Sequence, residues 1–228
     1  MTLISKLDDA LEQNGLALLG GFELGPQETL DPPPEGAVRA LLLIGNAGSA
    51  LWPHFQAARA ARTAKGETAP SLDQWTKEVI EPIAAGIGAG AVYPFEGPPF
   101  HPFTRWAMRC GTLFRSPLGL TVHPVFGLWH AFRAALLLPE PMTLPVLPGE
   151  NPCSTCLDRP CLRACPVEAF SAVGYDFERC LDHLAGPGEA CRELGCLARS
   201  ACPVGQAYRY RPAHAAFHQS ELLRAHGR

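Results

Sequence analysis

Eight of the nine cysteines lie between Cys153 and Cys202, and their spacing is the strongest chemical signal in the sequence. The first four follow the pattern Cys-x2-Cys-x4-Cys-x3-Cys-Pro, which ends at Pro166. Such a spacing brings thiolates together around a [4Fe–4S] cluster, although two more residues than usual separate the second and third cysteines. Because Pro166 turns the chain, we expect Cys165 to point away from the three cysteines before it and to bind a second cluster.

The last four cysteines are spaced irregularly, but this group also ends in a Cys-Pro pair, Cys202-Pro203. The repeated Cys-Pro ending predicts that the last cysteine of each group binds the cluster held by the other three cysteines of the other group. The expected first quartet is Cys153, Cys156, Cys161 and Cys202. The expected second quartet is Cys165, Cys180, Cys191 and Cys196. Eight ligands for two [4Fe–4S] clusters leave no cysteine of this region unused.

Other interpretations of the cysteines stay open. Zinc also binds four thiolates, although zinc ribbons usually place two Cys-x2-Cys pairs well apart and do not end both groups in Cys-Pro. Disulfides would be the default in a secreted chain, and a single cluster is a further alternative. Cys110 stands alone in an expected helix, Phe103–Phe114, and is expected to be a small buried core residue.

The composition indicates a chain with a hydrophobic core and little net charge. Hydrophobic residues make up 47% and charged residues 18% of the 228, which excludes a mostly disordered chain. The formal net charge of −3 gives no general attraction to nucleic acid, so neither nucleic acid nor a membrane is an expected partner. No apolar run approaches the roughly 18 residues of a membrane span, and the N-terminal segment MTLISKLDDALEQ carries acids where a signal peptide is apolar. We therefore expect a cytoplasmic protein.

Helical and strand-like patterns interleave before the cysteine region, which predicts an α+β fold with a central sheet. Residues 37–45 and 132–138 are apolar runs suited to central strands. Ser49 and Ser71 are the expected N-caps of the helices that follow them. A proline-rich linker separates two expected domains. These are residues 1–145 and residues 150–228.

Two stretches of the first domain have the composition of a ligand pocket. The loop Gly45–Ser49 joins an expected strand to an expected helix and offers backbone N–H groups to an anion. It lacks the glycine and lysine pattern of a phosphate-binding loop, so an ordinary tight turn is the alternative. Farther along, His123, Trp129 and Arg133 surround a turn between two expected strands. Because a buried arginine is costly without an anionic partner, Arg133 is expected to reach an edge or to contact a ligand.

These residues carry a resemblance to a known family. Residues 3–145 resemble the N-terminal part of the cobalamin-processing CblC family. The shared motifs are LLLIGNAGSALWPHF (Leu41–Phe55), SLDQWTKEVI (Ser71–Ile80) and GLTVHPVFGLWHAFRAALLLP (Gly119–Pro139), the last of which matches the family's His-Pro-x-Phe-Gly-x-Trp-x-x-x-Arg pattern. The resemblance implies a nitroreductase-like fold that binds cobalamin and removes its upper ligand by reduction or by transfer to glutathione. The implied cofactor-binding residues are Gly45, Ser49, His123, Phe126, Gly127, Trp129 and Arg133.

The second domain is similar to the two-cluster, ferredoxin-like domain of epoxyqueuosine reductase, in which a cobalamin-binding domain also precedes eight cysteines. The catalytic region and the tRNA-binding repeats of that enzyme have no counterpart in this sequence. The cysteine region replaces the C-terminal cap of CblC proteins, so glutathione-dependent chemistry is not implied. Leu128 stands where the CblC pattern has the second glycine of Gly-Gly-Trp, and this larger side chain is expected to narrow the pocket.

Together these features predict an iron–sulfur redox protein. In the leading hypothesis it is a corrinoid-dependent reductase, in which two [4Fe–4S] clusters pass electrons to a cobalamin-type cofactor or substrate in the first domain. The alternatives are a ferredoxin-type electron carrier without an organic cofactor and an iron–sulfur reductase that binds flavin. Expected partners are a small-molecule or corrinoid ligand and an electron donor such as a flavodoxin, a ferredoxin or a flavin reductase. No residue is assigned a catalytic role.

Overall fold

The computed structural model describes residues 2–34, 36–142, 144, 149–171 and 174–228. Helices and short strands alternate along these residues, which confirms the α+β class. None of the described helices is long and apolar enough to cross a membrane. Residues 145–148 of the expected linker lie outside the described part of the chain.

The helices and strands have the following bounds. Up to the last strand of the main sheet they are α1 (Leu3–Glu12), β1 (Ala17–Glu23), β2 (Ala40–Ala47), α2 (Trp52–Ala64), α3 (Leu72–Gly86), β3 (Gly90–Val92), α4 (Phe103–Arg109), β4 (Phe114–Arg115), β5 (Thr121–Val122) and β6 (His130–Leu138). The later elements are α5 (Pro160–Arg163), β7 (Phe170–Ser171), β8 (Gly174–Tyr175), α6 (Phe177–Ala185), α7 (Glu189–Leu194), α8 (Leu197–Ser200), a 3₁₀ turn (Gln206–Tyr208) and α9 (Pro212–Ala225).

The chain divides into two compact units, and the first is built on an antiparallel sheet with the strand order β1-β2-β6-β3. The two apolar runs predicted as central strands form β2 and β6, which pair so that Leu42 lies opposite Leu136. Both of these leucines are fully buried. Helices α1, α3 and α4 contact this sheet. The apolar runs therefore form the core of the first unit, as expected for strands without a solvent-facing side.

Of the two N-caps predicted for helices of the first unit, one is confirmed and the other is wrong. The Ser71 hydroxyl accepts a hydrogen bond from the Gln74 N–H at 3.1 Å, so Ser71 caps α3 as predicted. The prediction of Ser49 as the N-cap of α2 is wrong. The N-cap is Leu51, which makes no side-chain cap hydrogen bond, and Ser49 lies in the turn before it. Pro53 in the first turn suits this start, because proline needs no backbone partner there.

The second unit combines Leu113–Trp129 with Gly149–Arg228, so a segment expected in the first domain packs with the cysteine region instead. Strands β4 and β5 form a hairpin, which His123 and Gly127 continue through reciprocal backbone hydrogen bonds of 2.9 and 2.8 Å. The buried core that both segments share consists of Leu118, Val122, Leu128, Cys161, Cys165, Ala169, Ala198 and Cys202. Burial of these apolar side chains together explains why the hairpin belongs to this unit.

Candidate functional site

Four cysteines surround one cavity in the second unit, and they are the members of the first quartet. The residues that line this cavity are Cys153, Cys156, Cys161 and Cys202, together with Pro117, Pro152, Arg159, Pro203 and Val204. Cys161 and Cys202 are buried, whereas the other two cysteines are half-buried. The space free of protein atoms, including its open side, is about 300 Å³. The cavity therefore presents thiol groups from two chain segments to one enclosed space.

A second cavity of the same unit is lined by the second quartet. Its lining residues are Cys165, Cys180, Cys191 and Cys196, together with Pro166, Val167, Phe170, His183, Leu184, Leu197, Ala198 and Gln219. Cys165 and Cys191 are buried, and its free space, open side included, is about 340 Å³. Each cavity is thus lined by one of the two quartets that the spacing predicts. Cys165 of the first run lines the cavity of the second quartet, and Cys202 of the second run lines the cavity of the first.

Local structure explains how neighbouring cysteines reach different cavities. Cys161 lies in the short helix α5, and the chain leaves this helix before Cys165. In the other run Cys196 is the N-cap of α8, and Cys202 follows the end of that helix. Helices α5 and α8 contact each other. In the first run α5 ends between Cys161 and Cys165, and in the second run α8 lies between Cys196 and Cys202. In both runs a short helix thus precedes the last cysteine, which belongs to the other quartet and is followed by proline.

Cysteines that line the same cavity raise the pKa values of one another's thiols. Burial raises the pKa of the Cys161 thiol, and the nearby Cys202 raises it further. Burial likewise raises the pKa of Cys191, and the charges of Cys180 and Cys165 add to that shift. Thiols with raised pKa values stay protonated at neutral pH unless a cation replaces the protons. Each cavity therefore brings together thiols that are mainly protonated and that would lose their protons on binding a metal.

Backbone N–H groups point at several of the sulfur atoms. The Ala169 N–H donates to Cys165 Sγ over 3.3 Å, and the Arg199 N–H donates to Cys196 Sγ over 3.5 Å. Backbone hydrogen bonds from Leu162 to Cys161 and from Val204 to Cys202 oppose the rise in the pKa of those thiols. Such bonds favour the thiolate form and tune bound iron–sulfur groups.

Among the described residues, no group of three or more His, Cys, Asp or Glu side chains meets the geometry of a single bound metal ion.

Cys110 lies outside both cavities, and its Sγ donates to the Trp106 carbonyl at 3.2 Å. Burial raises the pKa of the Cys110 thiol to about 12, so it behaves as a small core residue. Helix α4 ends before this cysteine and short of the predicted Phe114, because Gly111 adopts a left-handed φ of 72°.

The residues expected to form one ligand pocket are divided between the two units. Gly45, Ser49 and Arg133 belong to the first unit, and the four residues from the His-Pro-Val-Phe-Gly-Leu-Trp stretch belong to the second. Arg133 is buried, and its Nε donates to the Asn46 side-chain oxygen at 3.2 Å. A Cβ atom at Gly45 would run into the Ala131 carbonyl of β6, so close strand packing accounts for this glycine. Asn46, which is fully buried, is the partner that the sequence did not identify.

His123 and Phe126 stabilise the turn in which they lie. The Nδ1 atom of His123 accepts hydrogen bonds from the backbone N–H groups of Val125 and Phe126 at 3.0 and 3.2 Å. The two rings stack with their centroids 4.3 Å apart. Burial lowers the pKa of His123, which keeps the ring neutral and its Nδ1 able to accept.

Arg199 lies against the end of the same stretch. Its Nε and Nη2 both donate to the Leu128 carbonyl, at 2.8 and 2.5 Å. The guanidinium lies 4.7 Å from the Trp129 ring and 4.5 Å from the Tyr210 ring, within reach of a cation–π interaction. The Nε1 atom of buried Trp129 has no hydrogen-bond partner among the described residues. No pattern in the sequence marked Arg199, because its side chain binds the Leu128 carbonyl and contacts Trp129, both far away along the chain.

No protein-family model and no curated protein sequence matches the chain. A solved structure, the crystal structure of the B12-trafficking protein CblC from C. elegans, described as a homologue of human MMACHC, is similar with a TM-score of 0.56 and 14% sequence identity. The similarity covers 95% of this chain and 90% of that chain. It confirms the CblC-like fold that the sequence motifs imply for the first part of the chain.

Proposed function

We propose that this chain is an iron–sulfur redox protein in which each cysteine quartet binds one [4Fe–4S] cluster. The observation that carries the proposal is the arrangement of the eight cysteines in two separate cavities, four to each. All eight donors are soft thiolates, the ligand type that [4Fe–4S] clusters require. When bound, each cluster would take up and release one electron at a time at a low potential.

The protein contributes ligands, burial and hydrogen bonds to these sites. Cys161, Cys165, Cys191 and Cys202 are buried, which limits the access of water and oxygen to the sulfur atoms. The N–H groups of Ala169 and Arg199 stabilise negative charge on the sulfur atoms of the second quartet. Zinc remains the competing occupant because it also binds four thiolates. A coloured protein that contains sulfide separates the two.

We further propose that the electron acceptor is a corrinoid, in keeping with a fold shared with a B12-trafficking protein. The residues of the first unit that the sequence resemblance assigns to it are Gly45, Ser49 and Arg133. Asn46 holds the Arg133 guanidinium through a hydrogen bond, so it would position this cation for an amide or anionic edge of the ligand. His123, Phe126, Gly127 and Trp129, which the resemblance also assigns, belong to the second unit, and no contact with this ligand is proposed for them.

An electron carrier without an organic ligand is the second candidate. It is favoured by the internal contacts of the expected pocket residues. Gly45 packs against Ala131, and His123 binds the backbone of its own turn. These contacts give both residues a structural role that needs no cofactor.

The two candidates are separated by anaerobic mixing of cluster-reconstituted protein with hydroxocobalamin. We expect the corrin to elute with the protein from a gel-filtration column. Protein reduced beforehand and freed of reductant should then donate up to about two electrons per chain, seen as the return of oxidised cluster absorbance while the hydroxocobalamin spectrum is lost. Failure of the corrin to elute with the protein would favour the carrier.

A further inference from the structure

The loop around Cys156 presents an unusual surface beside the first quartet. Leu157 is 93% exposed, more than any other large hydrophobic side chain of the described residues. Its neighbour Cys156 lines the first cavity and is half-buried. An exposed leucine next to a metal-ligand candidate brings an apolar contact point close to the proposed cluster. Leu157 is therefore an exposed apolar side chain adjacent in the sequence to a cysteine that lines the cavity.

Two exposed arginines follow this leucine within six residues, and a third precedes a proline that lines the same cavity. Arg159 and Arg163 are exposed, as is Arg115 two residues before the cavity-lining Pro117. Among the described residues none of these three side chains forms an ion pair or a hydrogen bond. Arg159 lines the cavity, and its charge opposes the rise in the pKa of the Cys153 thiol, so the guanidinium lies near that sulfur. The carboxylates nearest to Leu157, Arg159 and Arg163 in the sequence are Asp158 and Glu168.

The second quartet has more carboxylates at its edge than the first. Val167 and His183, which line its cavity, also line a shallow depression on the surface. The charged residues of this depression are Asp176, Glu178, Arg179 and Asp182. Two of these carboxylates are already paired, Asp176 with Arg179 at 3.5 Å and Asp182 with Arg228 at 2.8 Å. A negatively charged protein would therefore be attracted more strongly at the first quartet, whose exposed arginines form no ion pair within the described part of the chain, than at the second.

We propose that Leu157, Arg115, Arg159 and Arg163, here called the Leu157 surface, bind a small acidic electron donor of the flavodoxin type. The inference rests on the proposed function, since it assumes a cluster in the first quartet. In the transfer, the anionic reduced flavin of the donor loses one electron and becomes a neutral radical without losing a proton, and the first quartet's cluster gains that electron. Charge brings the donor to this side, and Leu157 supplies the apolar centre of the contact.

The test is anaerobic stopped-flow mixing of the full-length, reconstituted protein with an acidic flavodoxin in its reduced form. Appearance of the flavin radical gives the rate. We expect the rate to fall steeply as ionic strength rises, because opposite charges accelerate association. At low salt, Arg159→Glu and Arg163→Glu should each slow the reaction about tenfold, and Leu157→Ser should slow it several-fold.

Arg179→Glu is the matched control, because it makes the same change in charge at the edge of the second quartet. It should leave the rate within about twofold. Dithionite, which needs no docking surface, should reduce the wild-type protein and every variant to the same extent. A rate that is insensitive to salt and to all three substitutions would overturn the docking proposal while clusters reducible by dithionite remain. Absence of any reducible cluster in the wild type would overturn the proposed function instead.

Discussion

Gly127 and Gly205 contact each other through their backbones in the second unit. A Cβ atom at Gly205 would lie 2.6 Å from the Gly127 nitrogen, and a Cβ atom at Gly127 would run into the Val204 carbonyl. Both glycines have left-handed φ angles, +57° and +72°. The turn of the His-Pro-Val-Phe-Gly-Leu-Trp stretch is thereby pressed against the loop that follows Cys202-Pro203. Backbone atoms of this turn therefore lie directly against the loop that follows Cys202, a ligand candidate of the first quartet.

We expect Gly127→Ala to destabilise the protein by about 3 kcal/mol or more, because it combines a left-handed φ with a backbone clash. The matched control is Gly119→Ala in the same segment. Gly119 also has a left-handed φ, +76°, but no atom lies within 4 Å of the position of its Cβ. The control should cost only about 1–2 kcal/mol. Urea unfolding measures both, and equal losses would show that the contact with Val204 is not important.

The exchange of ligands between the two cysteine runs is tested by single substitutions. Cys165→Ala should remove the same cluster as Cys191→Ala, and Cys202→Ala should remove the same cluster as Cys161→Ala. Each variant should keep about four iron atoms per chain. The electron paramagnetic resonance spectra of the two variants that lose the same cluster should match. Cys110→Ala, the control, should keep the full iron content. The pairing is wrong if Cys165→Ala gives the spectrum of Cys161→Ala.

The hydrogen bond between Arg133 and Asn46 predicts coupled effects on stability. Asn46→Ala removes an acceptor from a buried guanidinium and should cost about 3 kcal/mol of the free energy of unfolding. Arg133→Met replaces the cation with an apolar chain of similar length and should cost less, about 1–2 kcal/mol. The double variant should be more stable than the sum of the single effects predicts, by about 1 kcal/mol. Strict additivity in a double-mutant cycle would contradict a direct interaction.

His123 predicts a loss of stability in mild acid. Its pKa is lowered by burial in the folded chain, so the unfolded chain binds the proton more readily. The contribution of the neutral ring is therefore complete above the unfolded pKa of about 6.5 and is lost as the pH falls through the lower folded pKa. His123→Asn keeps a side-chain acceptor for the turn but does not titrate there.

The measurement for His123 is the difference in the free energy of unfolding between wild type and His123→Asn from about pH 8 to pH 5. His101, whose pKa is also lowered by burial, titrates in both proteins and cancels in the difference. We expect the difference to be constant above about pH 6.5 and to shift in favour of the variant below it. A difference that does not change with pH would show that His123 titrates normally.

Local patterns predicted those features that depend on neighbouring residues. The apolar run Ala40–Ile44 forms a buried central strand because no polar side chain interrupts it. Ser71 caps its helix because capping needs only the N–H three residues on. The cysteine grouping follows from Cys-Pro endings, which turn the chain within a few residues. That the grouped cysteines bind metal stays a prediction.

Contacts between distant segments could not be predicted from these patterns. Gly127 was expected beside a ligand, but the atom that requires a glycine is the Val204 carbonyl, far along the chain. Arg199 binds the Leu128 carbonyl in the same way, across a long separation in sequence. Arg133 was expected to contact a ligand or reach an edge because it is charged, and its partner proved to be a neutral amide, Asn46. Such partners depend on how the segments fold together rather than on local spacing.

Iron and acid-labile sulfide in protein purified without oxygen test the central claim most directly. Two cysteine quartets that each bind a [4Fe–4S] cluster predict about eight iron atoms and about eight sulfide ions per chain, a brown colour, and a paramagnetic signal after reduction with dithionite. Colourless protein that contains zinc, or that has no free thiols and no metal, would contradict the account.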